Sequence, residues 1–331
     1  MANAPASGSG AGPEAPRPST FRIWLLAARP ATLPAALAGV AVGLGVAVGL
    51  GVVVGNGAAL GAGEAFRPDM ALGCVVVALL LQVVANFAND LSDFRRGADT
   101  PDRMGPVRVA AAGLVTERQL EVAIAITIGL AGIVGLWLAL VGGPVIIGLG
   151  VLAVVAALAY TGGPWPYGYR GLGEVFVFVF FGLVAVIGTA YLQVGRLEPV
   201  FVAAAVPVGA LTTGILVVNN LRDIPTDTAA GKRTLAVMLG AKATQREYAL
   251  LLAVAFLVPV GLAIVVRTPW VLAPLLSMPL AVPLVRSVRG FREPRELNPV
   301  LKGTARLSLV FSLLFALGLA FAGTALRGAA G

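Results

Sequence analysis

The chain has 331 residues, 58% of them hydrophobic and only 12% charged, with a mean hydropathy of +0.91. Charged content is about half that of a water-soluble domain, so the composition excludes that class and points to an all-α, polytopic membrane protein. Histidine is absent and the single cysteine, Cys74, lies in an apolar run; imidazole acid/base chemistry, imidazole-ligated metal and an intrachain disulfide are all excluded. The net charge of +8 sits in short loops between apolar runs, the pattern of membrane topology and not of nucleic-acid binding.

Residues 1–20, rich in Ala, Pro, Gly and Ser, read as a disordered tail without the pattern of a cleaved leader. Residues 21–331 read as one transmembrane domain. Nine apolar spans are expected, at 31–54, 71–92, 120–141, 144–161, 174–194, 199–221, 247–266, 269–287 and 304–325, each near the twenty residues that a crossing helix needs. They are continuous runs, unlike the short alternating segments of a barrel. With a cytoplasmic N-terminus, twenty Lys and Arg fall on the cytoplasmic side. Only Arg67, Arg196, Arg267 and Arg327 fall opposite, a strong positive-inside bias that predicts the cell membrane with the polar motifs facing the cytoplasm.

The first span opens at Arg29-Pro30-Ala31-Thr32-Leu33-Pro34, where the prolines suit a helix start. Arg29 reads equally as a snorkelling anchor or as a contact to an anionic substrate. The second span ends in Asn86-Phe87-Ala88-Asn89-Asp90-Leu91-Ser92-Asp93. Asn86, Asp90 and Asp93 stand at i, i+4 and i+7, which predicts one shared helix face. A carboxylate near hydrocarbon costs on the order of 2.5–3.5 kcal/mol, and two on one stripe repel each other unless a cation lies between them. Hard oxygen ligands suit Mg²⁺, which commonly joins carboxylates to phosphates. In the loop that follows, Asp99 and Asp102 read equally as solvated acids. Arg103 and Arg108 read as bidentate phosphate clamps or as topology charges.

The fourth span ends in Tyr160-Thr161-Gly162-Gly163-Pro164, followed by Tyr167, Tyr169 and Glu174. This stretch could form a lid over an aromatic substrate or an interfacial tyrosine belt. The sixth span ends in Asn219-Asn220-Leu221-Arg222-Asp223-Ile224-Pro225-Thr226-Asp227, with Gly231-Lys232-Arg233-Thr234 after it. Pro225 is expected to end or kink the helix and leave Asp227 in a loop. Asp223 and Asp227 are metal candidates, and Lys232 a compact cation for a diphosphate. Arg233 could do the same or face lipid headgroups, and Thr234–Val237 predicts a short interfacial helix. The two clusters stand 133 residues and four helices apart, which predicts a parallel pseudo-repeat.

Together these motifs resemble the UbiA superfamily of intramembrane aromatic prenyltransferases. Within it, Asn86-x-x-Asn89-Asp90-x-x-Asp93-x-x-x-Gly97-x-Asp99, Gly105-Pro106-x-Arg108 and Gly231-Lys232-Arg233-Thr234-Leu235-Ala236 resemble the 1,4-dihydroxy-2-naphthoate polyprenyltransferase branch. The resemblance spans residues 22 to about 325. It implies a nine-helix bundle in which Asp90, Asp93, Asp223 and Asp227 hold Mg²⁺ against a polyprenyl diphosphate, with Asn86, Asn89 and Asn219 nearby. Lys232, Arg103, Arg108 and Arg233 would neutralise phosphate charge, and Tyr160, Glu174 and Arg29 would contact substrate. The implied reaction joins the prenyl group to the naphthoate with loss of CO₂ and diphosphate. Another acceptor, such as 4-hydroxybenzoate, is the alternative. A cation-coupled transporter is disfavoured, since it would carry such residues near the midplane.

Overall fold

A computed structural model of the chain describes residues 18–49, 66–97 and 108–330. Helix α1 (Thr20–Ala28) starts at Ser19, whose side chain accepts from the Arg22 amide. A 3₁₀ turn at Pro30–Thr32 joins it to α2 (Leu33–Gly49). Proline at the first position opens α3 (Pro68–Arg95), α5 (Pro144–Ala159) and α8 (Pro199–Ala229), where its missing N–H costs nothing. A Thr116–Gln119 capping box starts α4 (Glu117–Gly142). Helices α6 (Gly173–Val177) and α7 (Ala185–Val194) are joined through a π-helical segment, Phe178–Val184. Thr234 caps α9 (Leu235–Leu239), the short helix expected there. Then come α10 (Ala241–Val266), a 3₁₀ stretch at Pro269–Ser277, α11 (Met278–Gly290) and α12 (Leu297–Ala330).

Eight helical stretches among the described residues are long and apolar enough to cross a membrane. The fourth expected span is α5, which at 16 residues is about 24 Å long, short of a hydrocarbon core of about 30 Å. The outer surface is apolar too: Leu140 is 83% exposed and Ile264 74%. That arrangement suits lipid as solvent, and the protein is a multi-pass membrane protein.

The largest core cluster draws on α2, α7, α8, α10 and α12, including Val46, Phe201, Tyr248, Phe311 and Phe315. Helices α2 and α12 touch backbone to backbone. A Cβ at Gly49 would overlap the Leu319 carbonyl, and one at Gly323 would overlap Gly49, so small residues set this approach. A second cluster packs α1 and α3 on α4 and on Val109–Ala110, and a third joins Val40, Met70, Cys74, Leu138 and Leu192 at the far end. Cys74 is thus a buried hydrophobe. Helix α5 packs on α3 and α4, whereas α6 and α7 pack on α2 and α8, and the cavities lie between these two groups.

One expectation about this frame is corrected. Pro225 does not end α8, which continues to Ala229 and keeps Asp227 on the helix. A helical proline forfeits one bond to the carbonyl four residues back. Nearby carbonyls gain hydroxyl donors: Thr226 Oγ1 bonds the Asp223 oxygen at 3.0 Å and Thr228 Oγ1 the Ile224 oxygen at 2.7 Å. Asp223 and Asp227 therefore sit one turn apart on one face.

Candidate active site

Two walls face each other across a polar cavity of about 700 Å³. Helix α3 contributes Asn89 and Asp93, one turn apart; α8 contributes Asn219, Asp223 and Asp227. Arg29, Arg108, Arg222, Lys232 and Lys302 also line the cavity, so five cations face three carboxylates. A surplus of two positive charges in a partly desolvated cleft favours an anionic ligand.

Asp93 draws donors from three separate segments of the chain. Its Oδ2 accepts from Arg108 Nη2 at 2.5 Å, and its Oδ1 from Tyr169 Oη at 2.6 Å and Lys232 Nζ at 3.4 Å. Lys232 also approaches Asp227 Oδ1 at 3.9 Å and stands 4.8 Å above the Tyr169 ring, so one ammonium joins the two walls. On α8, Arg222 grips Asp223 with both arms, at 2.8 and 2.7 Å. Its Nη2 also bonds Asn219 Oδ1 and its Nη1 Asn298 Oδ1, each at 2.9 Å. Arg222 is 2% exposed. Sequence reasoning counted it only as a topology charge; its signal was an arginine next to an aspartate at the end of an apolar run.

The first motif divides differently from the expectation. Successive residues on a helix turn by about 100°, so Asn89 and Asp90 lie on opposite flanks of the Asn86–Asp93 stripe. The cavity takes the Asn89 flank. Asp90 is 1% exposed, and its oxygens accept from the amides of Val109 at 3.0 Å and Ala110 at 3.4 Å. Asn86, two turns from Asp93, donates to the Ala28 carbonyl and to Thr32 Oγ1, both at 2.9 Å, and accepts from Gln82. It anchors the α1–α2 corner. Asn89 accepts from Thr161 Oγ1 at 3.0 Å.

The tyrosine stretch wraps the same end. Arg96 holds it to α3 through the carbonyls of Thr161 and Gly163. Tyr160 lines the polar cavity and Tyr169 reaches Asp93, but Tyr167 turns inward to the Ala156 carbonyl at 2.8 Å. Burial pushes all three phenols up, with the Glu174 charge adding to the effect at Tyr160 and the Asp93 charge at Tyr169. Glu174 is buried on Asn220 at 2.8 Å and ties α6 to α8. The Arg233 side chain is exposed, and its amide donates to the Tyr169 carbonyl. Arg29 ends α1 in a left-handed conformation, φ 51° and ψ 70°, before Pro30, and its side chain lines the cavity. Arg103, Asp99 and Asp102 lie outside the described residues, as do residues 1–17 of the tail.

Asn89, Tyr160, Phe181 and Leu216 also line a second cavity of about 360 Å³ between α3, α5 and α6–α7. Its wall is almost wholly apolar. Each flanking helix presents one face to it, with Val77, Ala78 and Leu81 among the α3 residues and Leu149, Gly150 and Ala153 among those of α5. Leu138, Ile146 and Leu192 line its far end, close to Gly142.

A polar, cation-rich site opening onto an apolar channel inside a helical bundle defines an intramembrane protein for an anionic head joined to a hydrocarbon tail. The model of the UbiA prenyltransferase family matches residues 48–309, and the chain belongs to that family. It is 44% identical over 303 residues to 1,4-dihydroxy-2-naphthoate octaprenyltransferase of Mycobacterium tuberculosis, covering 92% of this chain and 98% of the relative. The Escherichia coli protein of that name is 38% identical over 309 residues, covering 91% and 96%. A UbiA homologue from Archaeoglobus fulgidus bound to DMAPP and Mg²⁺ shares the fold, with a TM-score of 0.61 at 15% identity, covering 90% of this chain and 99% of that one.

Proposed function

We propose that this protein transfers a polyprenyl group from polyprenyl diphosphate to 1,4-dihydroxy-2-naphthoate. Diphosphate and CO₂ are released and demethylmenaquinol is formed. The observation that carries this reading is the junction at Asn89 and Tyr160, where the cation-rich cavity meets the apolar one. The names of the relatives support the acceptor.

The donor set suits Mg²⁺. Among the described residues no three carboxylates gather tightly enough to hold an ion by themselves. Mg²⁺ typically takes one or two carboxylates and completes its shell with substrate phosphates and water, and oxygens on two facing walls match that habit. Asp93, Asp223 and Asp227, with Asn89 and Asn219, would hold it. Asp90 stays outside this set because it does not line the cavity and faces the Val109–Ala110 amides instead. Bound Mg²⁺ would supply positive charge that weakens the allylic C–O bond.

The chain's own residues do the rest. Lys232, Arg108 and Arg222 exchange their carboxylate partners for phosphate oxygens and stabilise the charge developing on the leaving diphosphate. The apolar channel receives the isoprenoid and excludes water, which would quench an allylic cation. The naphthoate ring carbon bearing the carboxylate attacks that cation; the new C–C bond forms, the carboxylate leaves as CO₂, and its electron pair restores the aromatic ring. The distribution of Lys and Arg supports an active site facing the cytoplasm.

The test is an assay of detergent-purified protein with Mg²⁺, a polyprenyl diphosphate and either 1,4-dihydroxy-2-naphthoate or 4-hydroxybenzoate. A prenylated naphthoquinol, read as its quinone after air oxidation, with CO₂ release from the first acceptor alone is expected. Product from 4-hydroxybenzoate alone would overturn the acceptor and keep the class.

A further inference from the structure

Asp90 stands in the acidic motif, yet the molecule uses it differently from its neighbours. The turn that it bonds closes on itself: Ala112 N–H bonds the Arg108 carbonyl, Gly113 N–H the Ala110 carbonyl and Leu114 N–H the Val109 carbonyl, at 3.0, 2.9 and 2.9 Å. Val109 is fully buried and Ala110 4% exposed, packed with Phe87, Leu91 and Leu120. The residue that leads into the turn is Arg108, whose guanidinium lies on Asp93 at 2.5 Å, with both side chains almost wholly buried. One carboxylate of α3 thus holds the backbone of this segment, and another, three residues on, holds its leading side chain.

We infer that Asp90 is a positioning residue that acts through Arg108. Its carboxylate fastens the Val109–Ala110 amides to α3, and that sets where the Arg108 guanidinium meets Asp93 and the departing diphosphate. A backbone anchored by two hydrogen bonds to a charged group is held more firmly than a long side chain alone can manage. A displacement of about 1 Å at a catalytic group costs on the order of a hundredfold in rate. This assignment rests on the prenyltransferase reading for its catalytic consequence, but not for the latch itself.

Two measurements on the full-length protein in detergent separate these. The first is limited trypsin digestion, followed by mass spectrometry, of wild type, Asp90→Ala, Asp90→Asn and Asp93→Ala. Asp90→Ala should raise cleavage after Arg108 about tenfold or more, since opening the turn exposes that bond. Asp90→Asn, which retains one acceptor oxygen, should fall between it and wild type. Unchanged cleavage in Asp90→Ala would overturn the latch whether or not the protein is a prenyltransferase. The second is a double-mutant cycle in kcat on Asp90→Asn and Arg108→Gln, with Mn²⁺ binding followed by electron paramagnetic resonance in the presence of an inert thiolodiphosphate analogue. The double variant should be no slower than the slower single variant, and Asp90→Asn should keep wild-type Mn²⁺ affinity while Asp93→Ala loses it. Additive losses, or a fall in Mn²⁺ affinity in Asp90→Asn as large as in Asp93→Ala, would overturn the action through Arg108. A wild-type protein inactive with every prenyl donor would sink the functional reading alone, and the digestion would still decide the latch.

Discussion

Asp93 and Arg108 meet at 2.5 Å inside the protein, with their side chains 2% and 7% exposed. Burying such a pair is costly, and breaking it by removing one partner costs about 3–5 kcal/mol. The same Asp93 is bonded by Tyr169 from the tyrosine loop and by Lys232 from beyond α8. Three separate segments of the chain therefore converge on one carboxylate.

Neutralising the cavity aspartates should remove turnover more than fold. Asp93→Asn, Asp223→Asn and Asp227→Asn are each expected to lower kcat by about 10²–10³-fold in protein that still elutes as one folded species. Asp93→Asn should also unfold at a lower temperature, because it leaves Arg108 buried against a neutral group. Wild-type rates in any of them would remove that residue from the metal-bearing set.

Asn86→Ala should behave in the opposite way. Asn86 is 3% exposed and bonds Ala28 and Thr32, so its loss leaves buried polar groups unmatched, at about 1–3 kcal/mol. Thermal unfolding in detergent should shift downward, and the protein that remains folded should keep its Mg²⁺ dependence.

The tyrosines should contribute hydrogen bonds and no titration. Raised phenol pKa values keep Tyr160 and Tyr169 protonated through neutral and mildly alkaline solution. A raised acid is neutral at every pH below its own value, so neither group should produce a break between about pH 7 and 9. Tyr169→Phe removes a donor to Asp93 and should lower kcat by about tenfold to a hundredfold, with an unchanged profile shape. A break present in wild type and lost in Tyr169→Phe would make the phenol a proton carrier.

Gly188 lines the apolar cavity, and a Cβ there would meet no atom within 4 Å. It lies eleven residues beyond Val177, where the two cavities join, about two to three turns along the helix. Gly188→Leu should therefore fill channel space without straining the fold. Geranyl diphosphate should still react, and long donors should lose about tenfold or more in kcat/KM. Equal loss for both would place the tail elsewhere.

The apolar runs and the loop charges sufficed for an all-helical membrane domain, because hydrocarbon forces each long run to satisfy its own backbone. The motifs likewise singled out residues that line the polar cavity from α3 and α8, since carboxylates and asparagines at the ends of apolar runs are costly. Two details escaped that reasoning. Pro225 looked like a helix end, yet α8 continues past it to Ala229. Arg222 looked like one topology charge among many until it was seen bonded to Asp223, Asn219 and Asn298.

What the sequence determined alone was the solvent, the helices and the clusters of polar and charged residues at their ends. What the tertiary structure decided was which flank of α3 meets the cavity. By spacing, Asn86, Asp90 and Asp93 share one stripe, with Asn89 on its flank. A helix fixes the angles between its residues but not its rotation against its neighbours, which follows from how α1, α4 and the Val109 turn pack on it. That packing turned Asn89 and Asp93 to the cavity and Asp90 to the Val109–Ala110 backbone.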